Sequence, residues 1–201
     1  MATAPKKIEG VIEVPPIQIK TYVFRIVGDS PLICHAWSKK AKQEMLDKQM
    51  GKARGKKEPK NPERDYEEAF YRTAEGKPGF PTIAFKAAAV GAARQVEGIS
   101  MVFMRGAFHT VGELVEIEGE PRMREDTVRL GGAGNTADLR YRPEFPIWAA
   151  SLVIRLNTRA LTLEQLLHLF NQAGFSCGVG EWRPERNGGY GMFHVESMME
   201  V

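Results

Sequence analysis

Cysteine is nearly missing: Cys34 and Cys177 are the only two in 201 residues. They lie too far apart for a zinc or Cys-x-x-Cys spacing, and both read as small buried hydrophobes. No apolar run approaches the roughly 20 residues of a bilayer span; one of the longest covers only 148–154. The opening residues MATAPKKIE lack the apolar core of a secretory signal. Histidine is scarce as well, and His35, His109, His168 and His194 show no metal-ligand spacing. No serine- or cysteine-based triad is suggested. Together these absences argue against a disulfide-stapled secreted domain, a membrane protein and a metalloenzyme. They lead us to expect a soluble cytoplasmic chain with no metal, no cofactor and no membrane partner.

What is present is globular in composition, with 43% hydrophobic and 26% charged residues. The length suits one domain carrying a large insertion. Its net charge of +3 is unevenly placed: residues 39–64 hold ten Lys/Arg and four Asp/Glu, a local +6, so the other 175 residues sum to −3. Such asymmetry points to a polyanion partner more than a uniform field would.

Patterning along the chain sets the element order. Residues 1–18, with three prolines, read as an irregular arm. Alternation of Tyr22, Phe24 and Ile26 predicts a strand over 20–27. A thin apolar stripe predicts a helix over 35–50, then a mobile loop to residue 64 and a short returning helix over 65–73. Small residues make 83–96 a helix smooth enough to sit close to a sheet. The span 101–130 reads as β-rich, with strands over 101–105, 111–117 and 123–130, and the glycines of 131–135 predict a flexible loop. A buried strand is expected over 146–156. Thr162 and Gln165 form a capping box for a helix over 162–173, whose core face is Leu163, Leu166, Leu167 and Phe170, with Gly174 as a left-handed stop. A last strand occupies 192–198. Without insertions the order is strand, helix, strand, strand, helix, strand, an α+β ferredoxin-like (split βαβ) sheet.

Residues 178–191, GVGEWRPERNGGYG, carry the most information. Glycines let backbone approach a phosphate, Arg183 and Arg186 can pair with it, and Trp182 can stack on a base. The plainer reading is a tight loop with Arg183 in an internal ion pair. A second arginine set, Arg122, Arg124, Arg129, Arg140 and Arg142, surrounds Tyr141, another stacking candidate, but Glu125, Asp126 and Asp138 are near enough to neutralise it. Lys52, Arg54, Lys56 and Lys57 of the basic segment form a phosphate clamp or, on the plainer view, a solvated charged loop.

The combination Phe80-Pro81-x4-Lys86-x4-Gly91-x2-Arg94 with the terminal Gly-rich loop resembles the RAMP superfamily, the repeat-associated RNA-binding proteins that form backbones of CRISPR effector complexes. The resemblance implies a modified ferredoxin-like domain over 1–201, with a basic helical insertion at 35–73 and a β-rich thumb-like insertion at 106–142. It also implies a cytoplasmic setting in a bacterium or virus-infected host. Lys86 and Arg94 match the helix positions that face phosphates, and Arg183 and Arg186 match the Gly-rich loop. The Gly-rich loop is longer here than in the family, with Trp182 and Pro184 inside it.

The expected function is non-catalytic, sequence-independent binding of single-stranded RNA or DNA along its backbone. The partners would be further copies arranged head to tail and other effector or recombination proteins. Two other classes stay open: a small metal-independent endoribonuclease using a histidine such as His35 or His109, and a phage structural or CRISPR-interacting protein.

Overall fold

The computed structural model describes residues 14–52, 59–129 and 137–201. In chain order the elements are β1 (Ile19–Gly28), β2 (Leu32–Ile33), α1 (Lys39–Gln49), α2 (Pro62–Glu68), β3 (Tyr71–Arg72), β4 (Pro78–Pro81), α3 (Thr82–Ala92), α4 (Met101–Ala107), β5 (Phe108–Thr110), β6 (Leu114–Glu116), β7 (Arg122–Arg129), β8 (Ala137–Phe145), β9 (Ala149–Asn157), α5 (Leu163–Ser176) and β10 (Phe193–Glu200).

Period-two alternation builds the central sheet. Phe24 and Ile26 of β1 pair with Leu152 and Ala150 of β9 and point to one side, where all four are fully buried. The four strands run antiparallel in the order β10-β1-β9-β5. Helices α3 and α5 cover the apolar face, locked by edge-on aromatic contacts: Phe24–Phe170 at 5.3 Å, Phe108–Phe170 at 5.6 Å and Phe85–Phe193 at 5.5 Å. Each large core side chain contributes about 1.5–3 kcal/mol of hydrophobic stabilisation. The connection β1-α3-β5-β9-α5-β10, with the fourth core strand beside the first and the third beside the second, is the expected ferredoxin-like α+β arrangement.

Helix α5 begins as its sequence dictates. Thr162 Oγ1 accepts from the Gln165 amide at 3.1 Å while Gln165 Oε1 accepts from the Thr162 amide at 2.9 Å. Its buried face is Leu166, Leu169, Phe170 and Ala173, with Leu163 and Leu167 half-buried beside it. The helix does not stop at Gly174. It runs on to Ser176, and the left-handed residue is Gly178 at φ 63°. Gly174 serves another purpose: a Cβ there would lie 1.7 Å from the Phe193 carbonyl oxygen, so α5 and β10 touch backbone to backbone.

Two smaller antiparallel sheets flank this core, β2-β8-β7 and β3-β4-β6. Strand β8 carries no strand signal in the sequence, because its Arg142 and Glu144 are buried in ion pairs and mimic a loop. The segment expected as a strand over 101–105 is helix α4. Ser100 Oγ caps it by accepting from the Phe103 amide at 3.1 Å, and the buried residues Met104 and Ala107 recur at helical spacing. The returning helix is earlier than expected. Asn61 caps it by accepting from the Arg64 amide at 3.0 Å, and residues 71–72 are already strand β3. Helix α1 buries none of its residues. The glycine loop over 131–135, most of the N-terminal arm, and Arg54, Lys56 and Lys57 lie outside the described residues.

Candidate nucleic-acid interface

The Gly-rich loop joins α5 to β10 and is stitched by its own backbone. Val179 N donates to Gly191 O at 2.9 Å, Tyr190 N to Trp182 O at 3.1 Å, and Glu181 N to Ile33 O at 3.1 Å. A Cβ at Gly188 would sit 1.7 Å from Trp182 O, so this glycine lets the returning loop lie against the Trp182 backbone. Trp182 itself has a left-handed backbone, φ 54°, unusual for a bulky residue. The residue is 42% exposed. Here the glycines make room for protein backbone.

Arg183 donates to Glu185 at 3.0 Å and to the Gly180 carbonyl at 3.1 Å, so the internal ion pair that the sequence allows is present. Arg94 reaches the other Glu185 oxygen at 3.2 Å. One carboxylate thus ties the turn after α3 to the Gly-rich loop and holds Arg94 and Arg183 together. Arg186 has no acidic partner among the described residues.

The ribbon of β7 and β8 supplies the second arginine set. Register places Arg124 opposite Arg142 and Asp126 opposite Arg140 on one face. Like charges face each other there only because carboxylates lie between them: Arg122–Glu144 at 2.8 Å, Arg124–Asp126 at 2.8 Å and Arg142–Asp126 at 3.3 Å. Arg124 also donates to the Tyr190 hydroxyl at 3.1 Å and lies over its ring at 4.8 Å, which docks the ribbon on the Gly-rich loop. Arg140 is loosely paired with Asp138 at 3.6 Å, and Arg129 has no acidic partner among the described residues.

Three clefts meet at Glu181. One of about 430 Å³ is lined by Arg129, Arg140, Arg142, Arg183, Arg186, Trp182 and the acidic Glu181. A second, about 550 Å³, runs past Trp37, Lys60 and Tyr141 toward α1 and α2. A third, about 290 Å³, lies between α3 and the loop and includes Pro81, Ala84 and Arg183. Glu181 is 3.3 Å from His35 Nδ1, and this contact, reinforced by the charge of Arg142, holds its carboxyl below the usual range despite burial. Burial pulls the Arg142 guanidinium down against the attraction of Glu181 and Asp126. Its Nε is buried without a hydrogen-bond partner among the described residues.

Not every expected residue joins this junction. Lys86 and Arg94 lie eight residues apart, about 12 Å of helical rise, and face different neighbours. Lys86 donates to the Arg105 carbonyl at 2.9 Å and sits 3.0 Å from His109 Nδ1. Burial lowers the Lys86 ammonium, and burial followed by the Lys86 charge lowers the His109 imidazole. Lys52 pairs with Asp47 at 3.1 Å. Sequence reasoning missed Glu181 and Glu185, although both alternate with the arginines in GEWRPER and so had a signal as their counter-charges.

Fold and cleft together define a class: a ferredoxin-like α+β chain with an arginine-lined, aromatic-edged junction between its Gly-rich loop and a β-ribbon. Among solved structures, a chain of the Type III-B Cmr-beta, determined by cryo-EM bound to cognate target RNA, shares this fold. It matches with a TM-score of 0.56 at 10% identity, over 91% of this chain and 61% of that one. The present chain therefore spans less than two thirds of that neighbour. The crystal structure of Cmr6 from Pyrococcus furiosus matches with a TM-score of 0.46 at 12% identity, over 89% of this chain and 99% of that one. No protein-family model matches the chain, and no curated protein matches its sequence. The likeness to the first of these agrees with the ferredoxin-like α+β arrangement expected from the sequence.

Proposed function

We propose that this chain is a non-catalytic binder of single-stranded nucleic acid, RNA foremost, that holds the phosphate backbone without reading base sequence. The observation that carries this reading is the convergence of five arginines with an exposed tryptophan on one cleft, continuous at Glu181 with two others. Guanidinium groups pair with phosphate oxygens, which carry no sequence information, and Trp182 and Tyr141 offer faces on which any base stacks. The fold neighbour bound to cognate target RNA supports RNA as the partner. On this reading the β7–β8 ribbon, within the thumb-like 106–142, and the basic insertion over 35–73 flank the strand, and Lys86 and the lysines of the insertion extend the path. Successive copies line up head to tail along one strand, a heterologous contact that does not close.

The test is fluorescence anisotropy with labelled single-stranded RNA, single-stranded DNA and duplex of equal length across a salt series. Sequence-tolerant binding to single strands is expected. Replacing Arg129 and Arg186 by glutamine should flatten the slope of log K against log salt by about 1.4, some 0.7 for each phosphate that is no longer neutralised. Absence of binding at low salt overturns the proposal. The same samples examine the nuclease alternative, whose footing is the Lys86–His109 contact: RNA intact after prolonged incubation removes it.

A further inference from the structure

Five arginines line a single cleft of about 430 Å³, which gathers them closer than successive phosphates of a strand require. Of these, Arg183 is held by Glu185, Arg140 by Asp138 and Arg142 by Asp126. The Glu181 carboxylate also lines the cleft and is set against His35 and the charge of Arg142, while Arg129 and Arg186 have no acidic partner among the described residues. At the same place the Arg142 side chain is only 3% exposed, yet its Nε–H has no acceptor among the described residues. A buried guanidinium donor left unpaired is costly, and a charged one more so. Its natural acceptor is an anionic oxygen brought into the cleft from outside.

We infer that this cleft is an end-recognition site for a phosphomonoester, the dianionic terminal phosphate of a strand or of a nucleotide, with its nucleoside stacked on Trp182. The inference rests on the nucleic-acid reading above and refines it. An internal phosphodiester carries one negative charge and leaves one of the two free arginines uncompensated. A phosphomonoester carries close to two at pH 7, with three acceptor oxygens for Arg129, Arg186 and Arg142 Nε. Trp182 stands at the rim of the same cleft, one residue from Arg183 and four from Arg186, placed to cover a terminal base that has no neighbour on one side.

The experiment uses the full chain and short single strands of one sequence that differ only at their ends: 5′-phosphate, 5′-hydroxyl, 3′-phosphate and 3′-hydroxyl, each labelled at the opposite end. One phosphorylated end should bind about tenfold tighter than its hydroxyl counterpart, the worth of one charge-assisted hydrogen bond. That preference should vanish in Arg186→Gln, an exposed position whose change leaves the core untouched, and should shrink below pH 6 as the phosphate gains its second proton. Competition by a nucleoside monophosphate but not by its nucleoside would support the inference with the free nucleotide as source. Equal affinity for all four strands would overturn it while leaving backbone binding intact. Failure of every strand to bind would overturn both readings.

Discussion

Glu185 restrains two of the cations that the proposed function needs, so removing its charge should strengthen binding. Its carboxylate holds Arg94 at 3.2 Å and Arg183 at 3.0 Å. It is 36% exposed, so the pairs are worth only about 0–1 kcal/mol to the fold after solvent screening. Glu185→Gln keeps the side-chain shape and leaves two arginines beside the clefts without a counter-charge. If both then meet phosphates, the slope of log K against log salt steepens by about 1.4. Between 50 and 200 mM salt the variant would then lose roughly sevenfold more affinity than the parent, by the same scaling. Anisotropy titrations against one single strand at four salt concentrations measure this directly, and circular dichroism melting checks that the fold is retained. An unchanged slope in a folded variant would refute the placement of Arg94 and Arg183 on the strand's path.

Two further predictions concern the scaffold and the junction. Gly174→Ala places a methyl 1.7 Å from the Phe193 carbonyl oxygen; overpacking of about 3 kcal/mol outweighs the roughly 1 kcal/mol of helix propensity gained, and melting should fall by about 4–8 °C. A variant as stable as the parent would show that α5 and β10 are not in backbone contact. The Glu181 carboxyl is depressed chiefly by His35, so it stabilises the folded chain above the ordinary glutamate range, and that contribution is lost as pH falls through the lower folded value. His35→Ala should raise the Glu181 pKa toward its ordinary value and reduce the loss of stability in acid; carboxyl-carbon NMR that finds no upward shift would contradict the contact.

The core was legible because its signals are local. Period-two alternation in 20–27 and 146–156 and the capping box at Thr162 each concern residues close together in the chain, and burial merely selects the face already marked. The helical span 101–107 was not legible, since Val102 and Phe103 are good strand formers that end up exposed, and only the Ser100 cap and the burial of Met104 and Ala107 decide for a helix. Strand β8 escaped for the opposite reason: charged residues disguise a buried strand when their partners lie elsewhere in the chain.

The candidate interface divides along the same line. From residue types alone came the stacking tryptophan, the arginines of the Gly-rich loop and the arginine set around Tyr141, because guanidinium and indole have the same chemistry in any fold. Which arginines are neutralised and which stay free is a matter of partners up to 91 residues away, as Glu185 is from Arg94. Lys86 and Arg94, neighbours in one motif, face different surroundings because a helix turns between them. Tertiary structure alone brought the Gly-rich loop against the β-ribbon, gathered five arginines around one cleft and left the Arg142 Nε buried without an acceptor among the described residues. Pairing and desolvation depend on distance through space, and a linear pattern carries no record of that distance.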